Sequence, residues 1–200
     1  MKLFFSGNSP YARRPRIAIR EAGLMDRVEE VDVGPIADNT ETLLAHGPGA
    51  KVPGLLTDGG TYLCESLVIA RHLDDASGGK LYPADPAALE AALQVEGIAS
   101  LLMDSLFVRS RENRRDASEQ SPGAIATETD RAARCYDALQ GLVDRFDGEI
   151  HMGTMTAVAS LGYADWRHQS DDWRAGRADL AAWFERIMER PAMAETKPVF

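Results

Sequence analysis

Cysteine, long apolar runs and positive charge are all scarce in this sequence, and each shortage excludes a class of protein. The two cysteines, Cys64 and Cys135, lie far apart and outside any CxxC or Cys/His cluster. This spacing argues against a disulfide framework and against structural zinc, so we expect both to be buried small apolar residues. The net charge of −9 opposes nucleic-acid binding, because cationic side chains supply most of the affinity for phosphate backbones.

Membrane and export signals are also missing from the sequence. No stretch approaches the ~20 apolar residues that a membrane span needs. The opening MKLFFSGNSP has an apolar run of only Leu3 to Phe5, which is too short for the hydrophobic region of a signal peptide. We therefore expect a cytoplasmic protein with no membrane partner. The apolar content of 44% is enough for one large core or two small ones.

Familiar hydrolase and metal motifs do not occur either. The sequence contains no GxSxG, which argues against a serine esterase. No motif brings a histidine near a serine, and the histidines lack metal-ligand spacing; they are His46, His72, His151 and His168. We expect no metal site.

The first 80 or so residues alternate strand and helix patterns. KLFFS at 2–6 and VEEVDV at 28–33 predict strands, and PYARRPRIAIREAG between them predicts a helix with Pro10 in its first turn. A short helix at 40–46, strands at 52–56 and 61–63, and a helix from Glu65 to about Ala76 follow. We predict an α/β domain over residues 1–78.

After Pro83 the pattern becomes helical throughout. Asp85 and Pro86 are typical of a helix start, and apolar residues then recur every three or four positions to about Arg115. Further helices are predicted around 132–146, from Thr156 to about Arg167, and at 179–190. The fold class is therefore α/β plus all-α, with an all-helical domain over 84–200.

Arginines cluster twice against the acidic background. They are Arg13, Arg14, Arg16 and Arg20 near the start, and Arg109, Arg111, Arg114 and Arg115 further on. Two interpretations stay open. Each cluster is a solvated face of a charged helix, or it attracts small anions locally.

Four segments in this order carry a resemblance to a known family: SPYARR, KVPGLL, YLCESLVIARHL and WFERIMERPAMAETKP. Together they resemble the glutathione S-transferase superfamily, and especially small bacterial serine-type members. The resemblance extends over the whole chain. It implies an N-terminal thioredoxin-like domain that binds glutathione, a C-terminal helical bundle domain, a homodimer, and detoxification of a small hydrophobic electrophile by conjugation to glutathione as co-substrate.

The resemblance assigns the catalytic role to Ser9. Free thiols have a pKa near ~8.5, and a hydroxyl that donates to the sulfur at a helix N-terminus favours the thiolate. The simpler alternative makes Ser9 only the N-cap of the helix that begins at Pro10. Ser9 and Ala12 stand where a CxxC pair would have its two cysteines, which argues against a glutaredoxin-like or cysteine-type reductase.

The remaining site residues also follow from the resemblance. A cis peptide bond at Val52-Pro53 would turn the Val52 backbone toward the glutathione peptide, although Pro53 could simply begin an edge strand. Glu65 and Ser66 would bind the γ-glutamyl group at a helix N-terminus, or they form only a cap. Lys51 would reach the glycyl carboxylate.

The second substrate is expected against the helical domain. Candidates for that wall are Met103, Phe107 and Tyr163, with Arg109 or Arg111 at its mouth, although aromatic residues at helical spacing are more often core. Two departures from the family pattern stand out. Pro15 lies inside the first predicted helix and could kink it. At Thr156 the third residue on is Ala159, so the usual capping box is missing there.

Two other functions fit the same resemblance. A transferase-fold interaction or regulatory module would bind glutathione with weak or no catalysis, and a helix disturbed at Pro15 would suit it. A glutathione-dependent peroxidase would use the same thiolate.

Overall fold

The computed structural model describes residues 1–146 and 148–198, which divide into two compact units. Met1–Ala84 and the described residues from Pro191 onward form the first unit, and Asp85–Arg190 forms the second. The segment after Pro191, which the sequence analysis counts with the helical domain, therefore packs with the first unit.

A four-stranded mixed sheet forms the centre of the first unit. Its strands are β1 (Lys2–Phe5), β2 (Glu29–Asp32), β3 (Gly54–Leu56) and β4 (Tyr62–Cys64), in the order β2-β1-β3-β4. β1 pairs parallel with β2 and antiparallel with β3, and β3 pairs antiparallel with β4. The helices of this part are α1 (Pro10–Glu21), α2 (Thr40–Leu44) and α3 (Ser66–Ser77). The predicted βαβ unit followed by a hairpin is confirmed.

Local sequence sets the ends of α1 and α3. Ser9 caps α1 and Pro10 occupies its first turn, where a missing N–H costs nothing. Gly78 ends α3 in the left-handed conformation, with φ of +79°. α1 continues without a break through Pro15 to Glu21. The structure thus shows no interruption of the helix at this proline.

The described C-terminal residues return to α1. α9 (Pro191–Ala194) packs against this helix, and the Arg13 guanidinium donates to the Met193 carbonyl at 3.1 Å. Arg20 forms an ion pair with Glu195 at 3.2 Å. These two contacts join residues that are 180 and 175 positions apart in the sequence.

The second unit is helical in all its described elements. They are α4 (Pro86–Glu112), α5 (Pro122–Gln140), α6 (Val143–Phe146), α7 (Met152–Arg167) and α8 (Ala178–Ile187). α4 packs against both α5 and α7. The predicted stripe on α4 is buried, with Val95 at 2% exposure and Leu102 and Leu106 at 0%.

By length and composition α4 could cross a membrane, so the expectation that no stretch approaches this limit was wrong. Core helices of soluble proteins pass the same test, and the packing of α4 against α5 and α7 is that of a core helix. The mean hydropathy of this helix alone therefore does not indicate a membrane span.

Two helix boundaries differ from the prediction. The helix expected over 132–146 begins earlier, at Pro122, and divides at Gly141 into α5 and α6. α7 begins at Met152 rather than Thr156. His151 caps it, since its Nδ1 accepts from the Gly153 N–H at 3.1 Å, while Thr154 Oγ1 accepts from the His151 N–H at 3.0 Å. The capping box is present four to five residues before the predicted helix start, so its predicted loss was wrong.

Candidate functional site

Ser9 lies at the junction of the β1–α1 loop and α1. Its backbone is extended, and its half-buried side chain accepts a hydrogen bond from the Ala12 N–H at 3.2 Å. This is the N-cap geometry expected from the sequence. A hydroxyl has two acceptor positions and one donor. The bond from Ala12 therefore leaves the hydroxyl proton of Ser9 available to a bound group.

Val52 and Pro53 precede β3 and are both buried. The peptide bond between them is cis, as predicted. Val52 is 8% exposed and belongs to the same apolar cluster as Ala12, Phe4 and Leu43. This cluster brings the segment before β3 close to the first turn of α1.

Glu65 and Ser66 stand where β4 turns into α3. Glu65 is exposed and has φ of +69° and ψ of 121°, a conformation in which residues other than glycine are strained. Ser66 is 5% exposed and is the first residue of the helix. Its Oγ accepts a hydrogen bond of 3.0 Å from the Nη1 of Arg14 in α1. This bond ties the start of α3 to α1.

Lys51 is exposed, and among the residues that the structure describes it has no ion-pair partner. The segment before it is held by ring contacts. Tyr62 in β4 stacks on His46 with ring centroids 5.8 Å apart, and Phe4 lies 4.7 Å from the same imidazole. Gly54 makes room for the Tyr62 ring, because a Cβ at this position would overlap the phenol oxygen.

Three of the predicted site segments therefore meet around the first half of α1. Ser9 caps this helix, Val52 shares a core cluster with Ala12, and Ser66 bonds to Arg14. Ser9 offers its hydroxyl proton, and the start of α3 offers its first backbone amides, which have no partner inside the helix. The arrangement can bind an extended, anionic small molecule at two helix N-termini.

The first arginine cluster is buried, so the solvated-face interpretation was wrong for it. Arg13, Arg14 and Arg16 are 3%, 2% and 9% exposed. The Arg16 guanidinium lies 4.0 Å above the Phe5 ring and, with Arg20, pairs with Glu30. Burial by itself would raise the pKa of Glu30, but hydrogen bonds from Arg20 and Arg16 outweigh burial and hold this pKa below its ordinary value.

Arg14 is the site residue that sequence reasoning missed. It was grouped with its charged neighbours, although its spacing from Ile17 and Ala18 places it on the apolar face of α1. That periodicity was the available signal. Cys64 was also misjudged, since it is exposed, whereas Cys135 is buried as expected.

Most of the residues predicted to contact the second substrate are instead buried in the second unit. Met103 is 0% and Tyr163 is 2% exposed, so neither is an open wall of a pocket. Arg109 is 6% exposed and donates two hydrogen bonds of 2.7 Å to the oxygens of Asp171, so it does not stand at a mouth. Phe107 is half-buried.

Arg111 is exposed and lines a cavity of about 400 Å³ together with Arg114 and Arg115. These side chains follow the solvated interpretation, and Arg115 pairs with Glu112. Attraction of small anions to this cavity stays a prediction. Within residues 1–146 and 148–198, no group of three or more His, Cys, Asp or Glu side chains could hold a metal ion.

The chain matches known proteins over its whole length. Residues 8–76 match the family model of the glutathione S-transferase N-terminal domain. The uncharacterized GST-like protein YibF of Escherichia coli K12 is 28% identical over 203 residues, which cover 99% of this chain and 98% of YibF.

Two solved structures extend the likeness to the fold. A glutathione transferase family member from Pseudomonas fluorescens Pf-5, solved with bound glutathione, has a TM-score of 0.92 and 28% identity and covers 100% of this chain and 99% of its own. A glutathione S-transferase from Methylobacterium radiotolerans, solved with glutathione sulfonate, has a TM-score of 0.89 and 27% identity over 100% of this chain and 95% of its own. The chain therefore carries a glutathione S-transferase N-terminal domain at residues 8–76, and over its whole length it is similar in sequence and fold to glutathione transferase family members.

Proposed function

We propose that this protein is a glutathione transferase in which the Ser9 hydroxyl donates a hydrogen bond to the glutathione thiolate, and the thiolate attacks a small hydrophobic electrophile. One observation carries the proposal. Ser9 Oγ caps α1 and already accepts from the Ala12 N–H, so its remaining proton can only be donated elsewhere. A thiolate at a helix N-terminus is the acceptor that this arrangement favours.

The reaction requires only a modest decrease in the thiol pKa of glutathione. A free thiol has a pKa near ~8.5, and each unit by which that pKa falls corresponds to about 1.4 kcal/mol. One or two units would make a large fraction of bound glutathione reactive at pH 7. The thiol proton leaves to solvent, a carbon–sulfur bond forms, and with an aryl halide the halide ion departs with its bonding electrons.

The tripeptide would be held by the segments that meet around α1. The Val52 backbone beside Pro53 would pair with the peptide of glutathione, Lys51 would bind the glycyl carboxylate, and Glu65 with Ser66 would bind the γ-glutamyl group. Support comes from the exposed ammonium of Lys51, which has no ion-pair partner within residues 1–146 and 148–198, from the buried hydroxyl of Ser66 at the start of α3, and from the glutathione ligands of the similar structures. In this proposal residues 1–78 are the glutathione-binding domain and the all-helical domain ends at Arg190, because the segment after it packs with the first unit.

Binding and turnover test the proposal separately. The wild-type chain is expected to be retained on immobilised glutathione and to conjugate 1-chloro-2,4-dinitrobenzene. Ser9→Ala should keep retention and lose turnover by about 100-fold or more. Ser9→Thr, which keeps both hydroxyl and cap, should retain most activity. A thiol titration by absorbance near 240 nm should give a lower pKa for bound glutathione in the wild type than in Ser9→Ala.

Other outcomes favour other functions. Retention of the wild type without conjugation or peroxide reduction would favour the interaction or regulatory module. The disturbed helix that motivated the module is not observed at Pro15. Peroxide reduction that depends on Ser9, without conjugation, would favour the peroxidase. Absence of both retention and turnover would contradict the ligand and the catalyst together.

We further propose a cytoplasmic homodimer that takes part in detoxification and has no nucleic-acid partner. Apolar side chains stay exposed on α3 of the first unit and α4 of the second; they are Leu67, Val68, Leu93, Leu101 and Val108. In the arrangement that the resemblance implies, the first domain of one copy covers the helices of the other. Light scattering should give a dimer mass, and Leu101→Glu should shift it to the monomer.

A further inference from the structure

Three exposed arginines line the cavity of the helical unit. Arg111 lies in the last turn of α4, and Arg114 and Arg115 follow it in the loop that leads to α5. The volume of this arginine cavity is about 400 Å³, which is within the range of roughly 300–1,000 Å³ that is typical of small-molecule sites. The proposed glutathione chemistry makes no use of it.

The arginine cavity has an excess of positive charge. Arg115 Nε pairs with Glu112 Oε2 at 3.1 Å, and the other oxygen of this carboxylate accepts from the Ser121 N–H at 2.7 Å. Within residues 1–146 and 148–198, the guanidinium groups of Arg111 and Arg114 have no ion-pair partner. One carboxylate against three guanidinium groups leaves two positive charges uncompensated, and their mutual repulsion favours a bound anion.

Hydrogen bonds hold the backbone around the cavity in place. Gln120 Nε2 donates to the Arg115 carbonyl at 3.0 Å and to the Asn113 carbonyl at 3.4 Å. Arg114 Nε donates to the Ser110 carbonyl at 2.9 Å. This bond uses one nitrogen of the guanidinium, so the two terminal nitrogens can donate to a ligand. Because the loop is already ordered, less conformational entropy is lost when a ligand binds.

We propose that the arginine cavity binds a phosphate group with two negative charges, carried by a small molecule or by a lipid headgroup. A phosphate monoester has a charge of about −1.5 to −2 at pH 7, which matches the two uncompensated positive charges. The parallel N–H donors of a guanidinium also fit two phosphate oxygens at once. A single carboxylate has only one charge to offer.

This site goes beyond the proposed function and does not depend on it. All residues assigned to glutathione binding belong to the first unit, whereas the arginine cavity belongs to the second. The net charge of −9 on the whole chain opposes a nucleic-acid polyanion. A local group of arginines is therefore suited to a single phosphate group rather than to a phosphate backbone.

Arg134 supplies a matched control in the same unit. It is exposed on α5, does not line the cavity, and has no ion-pair partner in the part of the chain that the structure describes. Arg134→Gln and Arg111→Gln remove the same charge, but only Arg111→Gln removes a donor from the cavity. The Arg111 guanidinium has no hydrogen bond among the described residues, so its loss should leave the melting temperature unchanged.

The experiment is isothermal titration calorimetry of the full-length chain with pyrophosphate and with glycerol 3-phosphate, at constant ionic strength. Glycerol is the uncharged counterpart. We expect both phosphates to bind the wild type and Arg134→Gln equally, and glycerol not to bind. Arg111→Gln should weaken pyrophosphate binding by about tenfold or more. Arg111→Lys, which keeps the charge but loses the two parallel donors, should be intermediate. A parallel series with saturating glutathione should give the same affinities.

Cosedimentation distinguishes the two sources of the phosphate group. The same variants are mixed with vesicles of phosphatidylcholine that contain or lack phosphatidic acid. Binding to the phosphatidic acid vesicles that depends on Arg111, without binding of the soluble phosphates, would support the proposal and assign the cavity to a lipid headgroup. Binding of the soluble phosphates alone would support it and assign the cavity to a small molecule.

Two results would overturn the proposal. One is the absence of any binding that depends on Arg111 in either arm. The other is an equal loss of affinity in Arg111→Gln and Arg134→Gln, which would show that the probes respond only to the overall charge of the chain. If Arg111→Gln fails to fold, Arg114→Gln takes its place at the same cavity. A wild type that binds pyrophosphate but not glutathione would contradict the proposed function and leave this inference standing.

Discussion

The buried arginines Arg14 and Arg109, one in each unit, donate hydrogen bonds to different kinds of acceptor. Arg14 of the first unit donates to the neutral hydroxyl of Ser66 at 3.0 Å. Arg109 of the second unit donates twice, at 2.7 Å each, to the carboxylate of Asp171, which also accepts from Tyr136 at 3.4 Å. The first partner keeps a proton for a further bond. The second has only acceptors, and these are directed at Arg109 and Tyr136.

The comparison separates polar groups that prepare a site from those that hold a core. A paired carboxylate and guanidinium satisfy one another, and removing one leaves a charge inside the protein. A hydroxyl that accepts from a guanidinium is only half used. We therefore expect mutations at the Arg109 pair to change mainly the free energy of unfolding, and mutations at Ser66 to change the binding of glutathione as well.

The largest expected effect is on the pair in the helical unit. Asp171→Ala would leave the Arg109 charge buried without its carboxylate, and should lower the free energy of unfolding by about 3–5 kcal/mol. Urea denaturation measures this loss. The pair Arg109→Met/Asp171→Leu should recover most of the stability because no charge stays buried. Equal instability of the single and double variants would show that the side-chain volumes matter more than the charge.

The next effect concerns close packing in the first unit. Gly54→Ala would press a Cβ into the Tyr62 ring, which holds the segment before Lys51 through His46. We expect a loss of about 1–3 kcal/mol in unfolding free energy and weaker retention on glutathione. Gly59→Ala, at a turn position where an added Cβ would make only an ordinary contact of 3.9 Å with Thr57 Oγ1, is the control. Unchanged stability in Gly54→Ala would mean that the Tyr62 ring can shift away from the added Cβ without a loss of packing.

A smaller effect depends on pH at the start of α7. Burial lowers the pKa of His151, although Glu149 opposes the shift, so the folded state prefers the neutral ring. Its stabilisation is complete above the unfolded pKa of about 6.5 and is lost as the pH falls through the lower folded value. Protonation also removes the Nδ1 acceptor that caps the helix.

His151→Ser keeps a capping oxygen but does not titrate. Between pH 7.5 and 5 the wild type should lose about 1 kcal/mol more unfolding free energy than this variant. Burial and then Arg109 lower the pKa of His168 as well, and this residue is present in both proteins. Thermal melts across this pH range measure the difference. Parallel pH profiles would exclude His151 as the source of the acid sensitivity.

The smallest expected effect is at an exposed pair. Arg71 and Asp75 lie 3.1 Å apart on α3, with side chains 68% and 61% exposed. Asp75→Ala should lower the free energy of unfolding by less than about 0.5 kcal/mol. High salt should abolish the difference from wild type. A larger loss would show that the exposure of an arginine side chain does not predict how much its ion pair contributes to the free energy of unfolding.

Sequence reasoning found most elements because their signals are local. Ser9-Pro10 and Asp85-Pro86 begin the predicted helices, and the stripe from Val95 to Leu106 predicts the buried face of α4. The α7 start was misplaced because histidine is not a usual cap, and its role depends on which ring nitrogen is free to accept.

The residues of the candidate site also differ in whether a local sequence signal identifies them. Residues with a strong local signature, such as Ser9 and Pro53, could be named from the sequence. Arg14 was missed because the periodicity of α1 indicates only that it is buried, and its partner Ser66 lies 52 positions away in the sequence. The clustered arginines were read by charge, whereas their burial depends on partners elsewhere in the fold, such as Met193 and Glu30.

The return of residues 193–195 to α1 also affects the order in which the protein is completed on the ribosome. The first 84 residues emerge early, but Arg13 and Arg20 meet the Met193 carbonyl and Glu195 only after the whole helical unit has been synthesised. A nascent chain that pauses before this point lacks those two contacts. The unit that is translated first therefore gains its last contacts only after the second unit has been synthesised.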